Sequence, residues 1–369
     1  MLYDSRHTLA GGAAAVFLCA SLLSGCRTSS QNFYVSPQGS DANPGTRSAP
    51  FATLPHAVRE VRKYRTGAAR TLPVNVFLRG GIYPITEPLC FTAEDSGTAE
   101  APITYAACPG EQAVLSGGKM LNGSWQKVAG KEYWQLEIPE SVNRKFNFFS
   151  LYVNGESRIR ARTPNQGEKV LRAAGQEPGG DPRQALQYCD NDIDPAWTNP
   201  TDIDVVLLCS WTPTLHRITR IIPETRVIRF KSTHTRSVDF WESNFRYYLS
   251  NVFEALDQPG EWYLNRDSGT LYYYPLPGED LNRLEFIVPV MKSSMLQFNA
   301  DLAEQRYIRH LRFEGLAFQH LDGDMDRYDG VYRQGHMFLA SAVAAQGLQN
   351  SLFLRCTFSQ LGEYALELA

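Results

Sequence analysis

Residues 33–63, FYVSPQGSDANPGT leading into APFATLPHAVREVRK, constrain the fold more than any other stretch. Phe33, Tyr34 and Val35 form a short aromatic and β-branched run that favours a strand. Pro37, Gly39, Asp41, Asn43, Pro44 and Gly45 then supply the backbone angles of a long surface turn. Thr53 is placed as an N-cap. Leu54, Ala57, Val58 and Val61 follow at i, i+3, i+4 and i+7, one narrow apolar stripe with Arg59, Glu60, Arg62 and Lys63 mostly facing away. Such a helix suits one end of a stack of β-coils, where unpaired edges and apolar interior need a cover. Strand, loop and helix also open ordinary α/β domains, so the rest of the chain must discriminate.

From residue 74 the chain runs in short β-rich pieces broken by glycine, VNVFLRGG, ITYAAC and AVLSGG, which read as first coils. Over residues 121–284 the rhythm changes to longer runs with hairpin-like turns, EYWQLEI, SLYVNGESRI, DVVLLCSW, RVIRF and GEWYL. Residues 265–269 link GEWYL to LYYYP as a glycine-containing antiparallel turn would. Residues 166–200, rich in Gly, Pro, Asp and Asn, read as a long loop. After residue 285 the coil rhythm returns in FIVPV, YIRHLRFEGLAF, LQNSLFLRCTF and YALEL. Aligning Phe318 on Phe358 gives one coil plus a loop, the excess lying in residues 322–338. The expected fold is all-β: a right-handed parallel β-helix with an N-terminal capping helix and an inserted antiparallel β-sandwich. The expected divisions are 1–26 signal and lipidation site, 32–120 cap and first coils, 121–284 sandwich, and 285–369 continued coils.

Several phrases carry a family resemblance. The opening YVSPxGxDxNPGT, the APFATL step and LRGGIY at 78–83 resemble the start of right-handed parallel β-helix proteins of the pectate-lyase-like superfamily. AEDSGTAEAPITYAACPGEQAVLSGG at 93–118, LYVNGESRIRARTPN at 151–165 and EALDQPGEWYLNRDSGTLYYYP at 254–275 are similar to glycoside hydrolase family 141, whose activities include fucosidase and xylanase. The resemblance runs from about residue 33 to the last residue. It implies a longer protein whose acidic pair comes from coils beyond residue 369, so no catalytic residue is carried over. YALEL ends without a polar cap, and the chain is read as C-terminally truncated and as a fragment inactive by itself.

Composition narrows the partners. A net charge of -3 gives no global basic field, and no Lys/Arg stripe is interleaved with stacking aromatics, so nucleic acid is not expected. An aromatic content of 12% suits sugar stacking and an aromatic β-core equally. Residues 13–23 are an apolar run too short to span a bilayer and end in LLSGC, which resembles a bacterial lipobox. Cys26 is then the lipidated N-terminus of an exported protein anchored to the cell envelope, with outer-membrane sorting expected from Arg27. An ordinary cleaved signal is the alternative. Cys90, Cys108, Cys189, Cys209 and Cys356 lack regular spacing and read mainly as buried free thiols. A monomer is expected.

Glycoside hydrolysis usually needs two carboxyl groups flanking the scissile bond. Local candidates cluster after the coil carrying Phe313: His320, Asp322, Asp324, Asp326, Tyr328, Asp329 and His336, acids and histidines suited to sugar hydroxyls. Asp322, Asp324 and Asp326 imitate the start of a calcium loop, but Arg327 and Arg333 replace the Gly and Glu that an EF-hand needs. Calcium is therefore left only as a looser option, and a solvated acidic loop is the competing reading. Trp211, His216, Trp241 and Glu242 are candidates on the insertion. Trp262 reads as core, Glu261 and Asp257 as hydrogen-bonding turn residues, and Asp95 as a turn former. The readings are a glycoside hydrolase of plant or algal polysaccharide, a calcium-dependent polysaccharide lyase, or a glycan-binding surface lipoprotein.

Overall fold

The computed structural model describes residues 30–66, 71–323, 340–362 and 364–369. Three sheets of parallel strands form the long body. The first contains Gln31–Val35, Val74–Leu78, Ile103–Ala107, Leu311–Glu314 and Leu352–Leu354, every neighbouring pair parallel. The second stacks Gly81–Pro84, Ala113–Ser116, Leu316–Leu321 and Thr357–Leu361. The third stacks Leu89–Phe91, Leu296–Asn299, Val343–Gln346 and Leu366–Leu368. From Val74–Leu78 onward each turn of the chain visits the first, second and third sheet in that order, the winding of a parallel β-helix, whose hand follows the right-handed rule for parallel crossovers.

Alternate residues of each strand point inward. Val74, Val76 and Leu78 are buried while Asn75 and Phe77 are not. Equivalent inward positions of successive coils fall in register, so like rings stack. Tyr105 lies on Phe313 at 5.4 Å and Phe313 on Phe353 at 4.9 Å, with planes within 13°. Phe91 lies on Phe298 at 5.0 Å in the same manner.

The helix spans Leu54–Arg65, and Thr53 caps it as expected, its hydroxyl accepting from His56 N at 3.3 Å. Leu54, Ala57, Val58 and Val61 join the same apolar core as the coils. Arg62 leaves the helix to clamp Asp95, with Nε to Oδ1 at 2.6 Å and Nη2 to Oδ2 at 3.0 Å. Asp95 also accepts from Thr92 N at 2.8 Å, so it is a cap and a tether as well as a turn residue.

The interruption falls inside one coil, between Ala113–Ser116 and Leu296–Asn299. It is antiparallel in two sheets. The first runs Gly118–Met120, Phe286–Pro289, Leu151–Val153, Glu156–Arg160, Glu261–Asn265, Thr270–Tyr273, Trp134–Glu137 and Gln126–Lys127, with one parallel pair, Glu156–Arg160 on Glu261–Asn265. Trp262 is fully buried there and stacks on Phe148 at 5.4 Å, as its alternating hairpin pattern implies. Glu261 accepts from the backbone N of Asp257 and Gln258 at 3.1 and 3.0 Å, the structural role expected of that turn.

The second sheet runs Arg162–Thr163, Arg246–Ser250, Asp204–Cys209, Thr212–Ile222, Val227–Phe230 and Ala185–Gln187. Here residues 166–200 depart from the expected plain loop. Leu171–Arg172 pairs with Arg246–Ser250, and Gly175 bridges Gln187, so this stretch closes the sheet around its own core of Leu186, Val205, Leu207, Ile228, Tyr247 and Leu249. Its strands are two and three residues long, too short to show a period of two against a polar background. The cysteines are also corrected in part. All five are free, but Cys90 and Cys189 are exposed and only Cys108 and Cys209 are buried.

Candidate functional site

The chain leaves the coil stack at Gly117 and Gly118, and His320 sits beside the exit. A Cβ on Gly118 would lie 2.5 Å from Ile287 Cγ2 and 2.8 Å from His320 Cβ, so a side chain there would force the seam apart. His320 is the penultimate residue of the strand Leu316–Leu321 and has a left-handed backbone, φ +61°. Its Nδ1 pairs with Ser116 Oγ at 2.9 Å, and Ser116 Oγ in turn accepts from Gly118 N at 3.1 Å. The Tyr152 ring of the first inserted sheet lies 5.3 Å from the imidazole. Coil and insertion thus meet on this histidine.

Burial lowers the His320 pKa to about 4, so the imidazole is neutral at ordinary pH. Its Nε2 is buried and has no hydrogen-bond partner among the described residues. Asp322 follows, almost fully buried, its backbone N donating to Met291 O at 3.0 Å. Burial raises the Tyr152 phenol pKa, the Ser150 hydroxyl opposes the rise, and the Asp322 carboxylate adds to it. A neutral imidazole, a carboxylate and a phenol are therefore assembled at one corner, a set able to hold sugar hydroxyls or to pass a proton.

His320 and Asp322 both lie near Tyr152, the first through its ring at 5.3 Å and the second through the charge it sets against the phenol. Asp324, Tyr328 and His336 lie outside the described residues, as do Asp326, Asp329 and the lipidation candidate Cys26. Among the described residues no cluster of three or more His, Cys, Asp or Glu could hold a metal ion. Ser116 and Tyr152 were not singled out from sequence, because nothing local ties a serine before the insertion to a histidine 204 positions later.

The insertion candidates fall into two classes. Trp211, at the turn between Asp204–Cys209 and Thr212–Ile222, is 60% exposed and meets Trp241 edge-on at 4.8 Å, with Phe240 against Trp241 at 4.9 Å. Large rings left in water beside one another form a platform suited to a pyranose face. His216 belongs instead to the closed sheet's interior. It is fully buried, stacked on Phe230 at 4.6 Å, and bonded to Ser232 Oγ and Thr214 Oγ1, both at 3.1 Å. Burial lowers its pKa to about 3, which keeps it a neutral structural residue. Glu242 is held by Arg246 at 2.9 Å and Arg172 at 3.5 Å, and the Arg246 hydrogen bond lowers its pKa.

The chain is similar to several known proteins. A family model of the GH141 insertion domain matches residues 131–276. The chain is 27% identical to the pectate lyase PEL9 of Emericella nidulans over 158 residues, 39% of this chain and 36% of that protein. It is 38% identical to the uncharacterized protein YwoF of Bacillus subtilis over 93 residues, 25% of this chain and 17% of that protein. A solved glycoside hydrolase matches with a TM-score of 0.76 and 26% identity over 90% of this chain and 62% of that one. The chain spans less than two thirds of the length of each of these relatives.

Proposed function

We propose that this chain, pectate-lyase-like in fold and glycoside hydrolase family 141-like in its insertion, is part of an exported carbohydrate-active protein that hydrolyses complex plant or algal polysaccharide. The observation that carries the reading is a conjunction: a coil stack and this particular insertion, superposing together on a glycoside hydrolase over 90% of the chain. The seam at His320, Asp322 and Tyr152 supports it with groups able to engage hydroxyls, and Trp211 with Trp241 offers a stacking surface. The chain spans 62% of the matched glycoside hydrolase, so turnover is assigned to the whole protein and glycan contact to the stretch in hand. Anchoring through Cys26 and a monomeric state complete the proposal.

A second reading, a calcium-dependent polysaccharide lyase, is favoured by the similarity to PEL9. One assay separates the two. Polysaccharides are incubated with the protein with and without calcium, and both reducing ends and the absorbance of an unsaturated uronate are followed. Reducing ends alone support the hydrolase, and calcium-dependent absorbance selects the lyase. Oligosaccharide binding without turnover by the whole protein would replace both with a glycan-binding surface lipoprotein.

A further inference from the structure

Away from the seam, a cavity of about 480 Å³ opens where the two inserted sheets meet, within the usual size of a small-ligand pocket. Its charged lining is entirely cationic: Arg144, Arg217, Lys231 and Arg266, with Thr201 and Asn147 between them. Arg144 ends the short helix Pro139–Arg144, Arg217 comes from the strand Thr212–Ile222, Lys231 follows Val227–Phe230, and Arg266 follows Glu261–Asn265. Four separate pieces of chain therefore converge to place positive charge in one hollow.

The neighbouring carboxylates do not neutralise it. Asp202 and Asp204 are fully buried behind the arginines and do not line the space. Asp202 takes Arg266 Nε at 3.1 Å and stands 3.2 Å from Arg144 Nη2; Asp204 takes Arg160 Nη1 at 2.7 Å and stands 2.8 Å from Arg217 Nε. Asp267 binds Arg144 at 2.8 Å. Against these three acids stand five cationic groups, so positive charge is left over. Lys231 has no ion pair among the described residues, and Arg266, whose side chain is 1% exposed, keeps a buried Nη1 without a partner among them. A buried donor left unmade is costly, and an oxygen anion entering the cavity would remove that cost.

We propose that this cavity is a subsite for the oxyanion of an acidic sugar, the carboxylate of a uronate residue or a sulfate ester, held by Arg266 Nη1 and the surplus positive charge of the guanidinium cluster, with Lys231 at the mouth. The proposal rests on the carbohydrate-active reading and deepens it: the substrate chain carries negative charge, and the insertion reads it. Planar guanidinium forks match a two-oxygen anion better than a neutral hydroxyl.

Calorimetric titration with an oligogalacturonate, a sulfated oligosaccharide and a neutral xylo-oligosaccharide tests it. The intact chain should bind at least one of the two acidic ligands in a salt-sensitive manner, and the two acidic arms tell carboxylate from sulfate. Lys231→Glu, an exposed change at the mouth, should weaken that binding by at least about tenfold. Lys127→Glu, outside the cavity, should leave it unchanged. Neither acidic ligand binding, equal effects of the two variants, or binding indifferent to Lys231→Glu would each overturn the subsite. A neutral oligosaccharide that still binds in those cases leaves the carbohydrate reading standing, whereas acidic binding lost only in Lys231→Glu supports the subsite even if no polysaccharide is ever cleaved.

Discussion

Phe318 and Phe358 lie face to face in successive coils, ring centroids 4.8 Å apart and planes 7° from parallel. The strands that carry them are parallel and pair these two residues directly. Phe318 is fully buried, whereas Phe358 is only partly so. The same inward position is thus filled by a like ring in successive coils.

Replacing Phe318 with Ala empties a site walled by the coils above and below, and should cost about 3–5 kcal/mol of stability. Phe358→Ala, at a partly buried position, should cost clearly less. Urea unfolding monitored by circular dichroism measures both; equal losses would mean that the last coil is packed as tightly as the interior.

Stability should fall on acidification between about pH 6.5 and 4, and His320 is one cause. Burial depresses its folded pKa to about 4 from an ordinary 6.5, so the unfolded chain takes up the proton first and stability present above pH 6.5 is lost as the pH drops. The loss from this residue is on the order of 2–3 kcal/mol. His216, lowered to about 3, works in the same direction. Asp202, raised to about 6 by burial although Arg144 opposes it, works the other way below pH 6. Comparison with His320→Asn, which suits the left-handed backbone, isolates the histidine: its melting temperature should depend less on pH over that range, and an unchanged profile would remove His320 from the account.

Asp95→Ala removes the acceptor for Thr92 N and strands the Arg62 guanidinium, and should cost about 1–3 kcal/mol. Asp95→Asn keeps a capping oxygen and should cost less. Chemical denaturation compares them, and indifference to either change would mean that the helix is held by its apolar stripe alone.

Trp211→Ala should leave stability within about 0.5 kcal/mol, since the ring is mostly in solvent. If the Trp211 and Trp241 pair contacts glycan, affinity electrophoresis in polysaccharide gels should show retardation reduced by this variant. Full retardation would assign the pair no part in binding.

Leu352, Leu354, Leu366 and Leu368 are exposed, while Leu311, Phe313 and Leu316 one coil earlier are buried. Amide exchange should therefore be faster in Thr357–Leu361 and Leu366–Leu368 than in Leu311–Glu314. Equal protection would show the two coils unfolding as one unit.

The coil stack was readable because its signals are local. Runs such as VNVFL alternate with the pleat, Thr53 and the apolar stripe mark the helix, and the repeat from Phe318 to Phe358 marks a coil. The change of rhythm after residue 120 likewise announced antiparallel structure, because hairpin turns have their own residue chemistry. The closure of the second inserted sheet was not readable, since Leu171–Arg172 and Ala185–Gln187 owe their strand character to partners and not to their own propensity. Nor were the meeting of Ser116 with His320, the burial of His216, or the cationic cavity. Each joins residues far apart in the chain, and sequence spacing carries no information about such distances. Pattern along the chain therefore determined which pieces wind and which turn back; only tertiary packing decided which charges share a cavity, because burial and desolvation depend on what the rest of the molecule puts beside them.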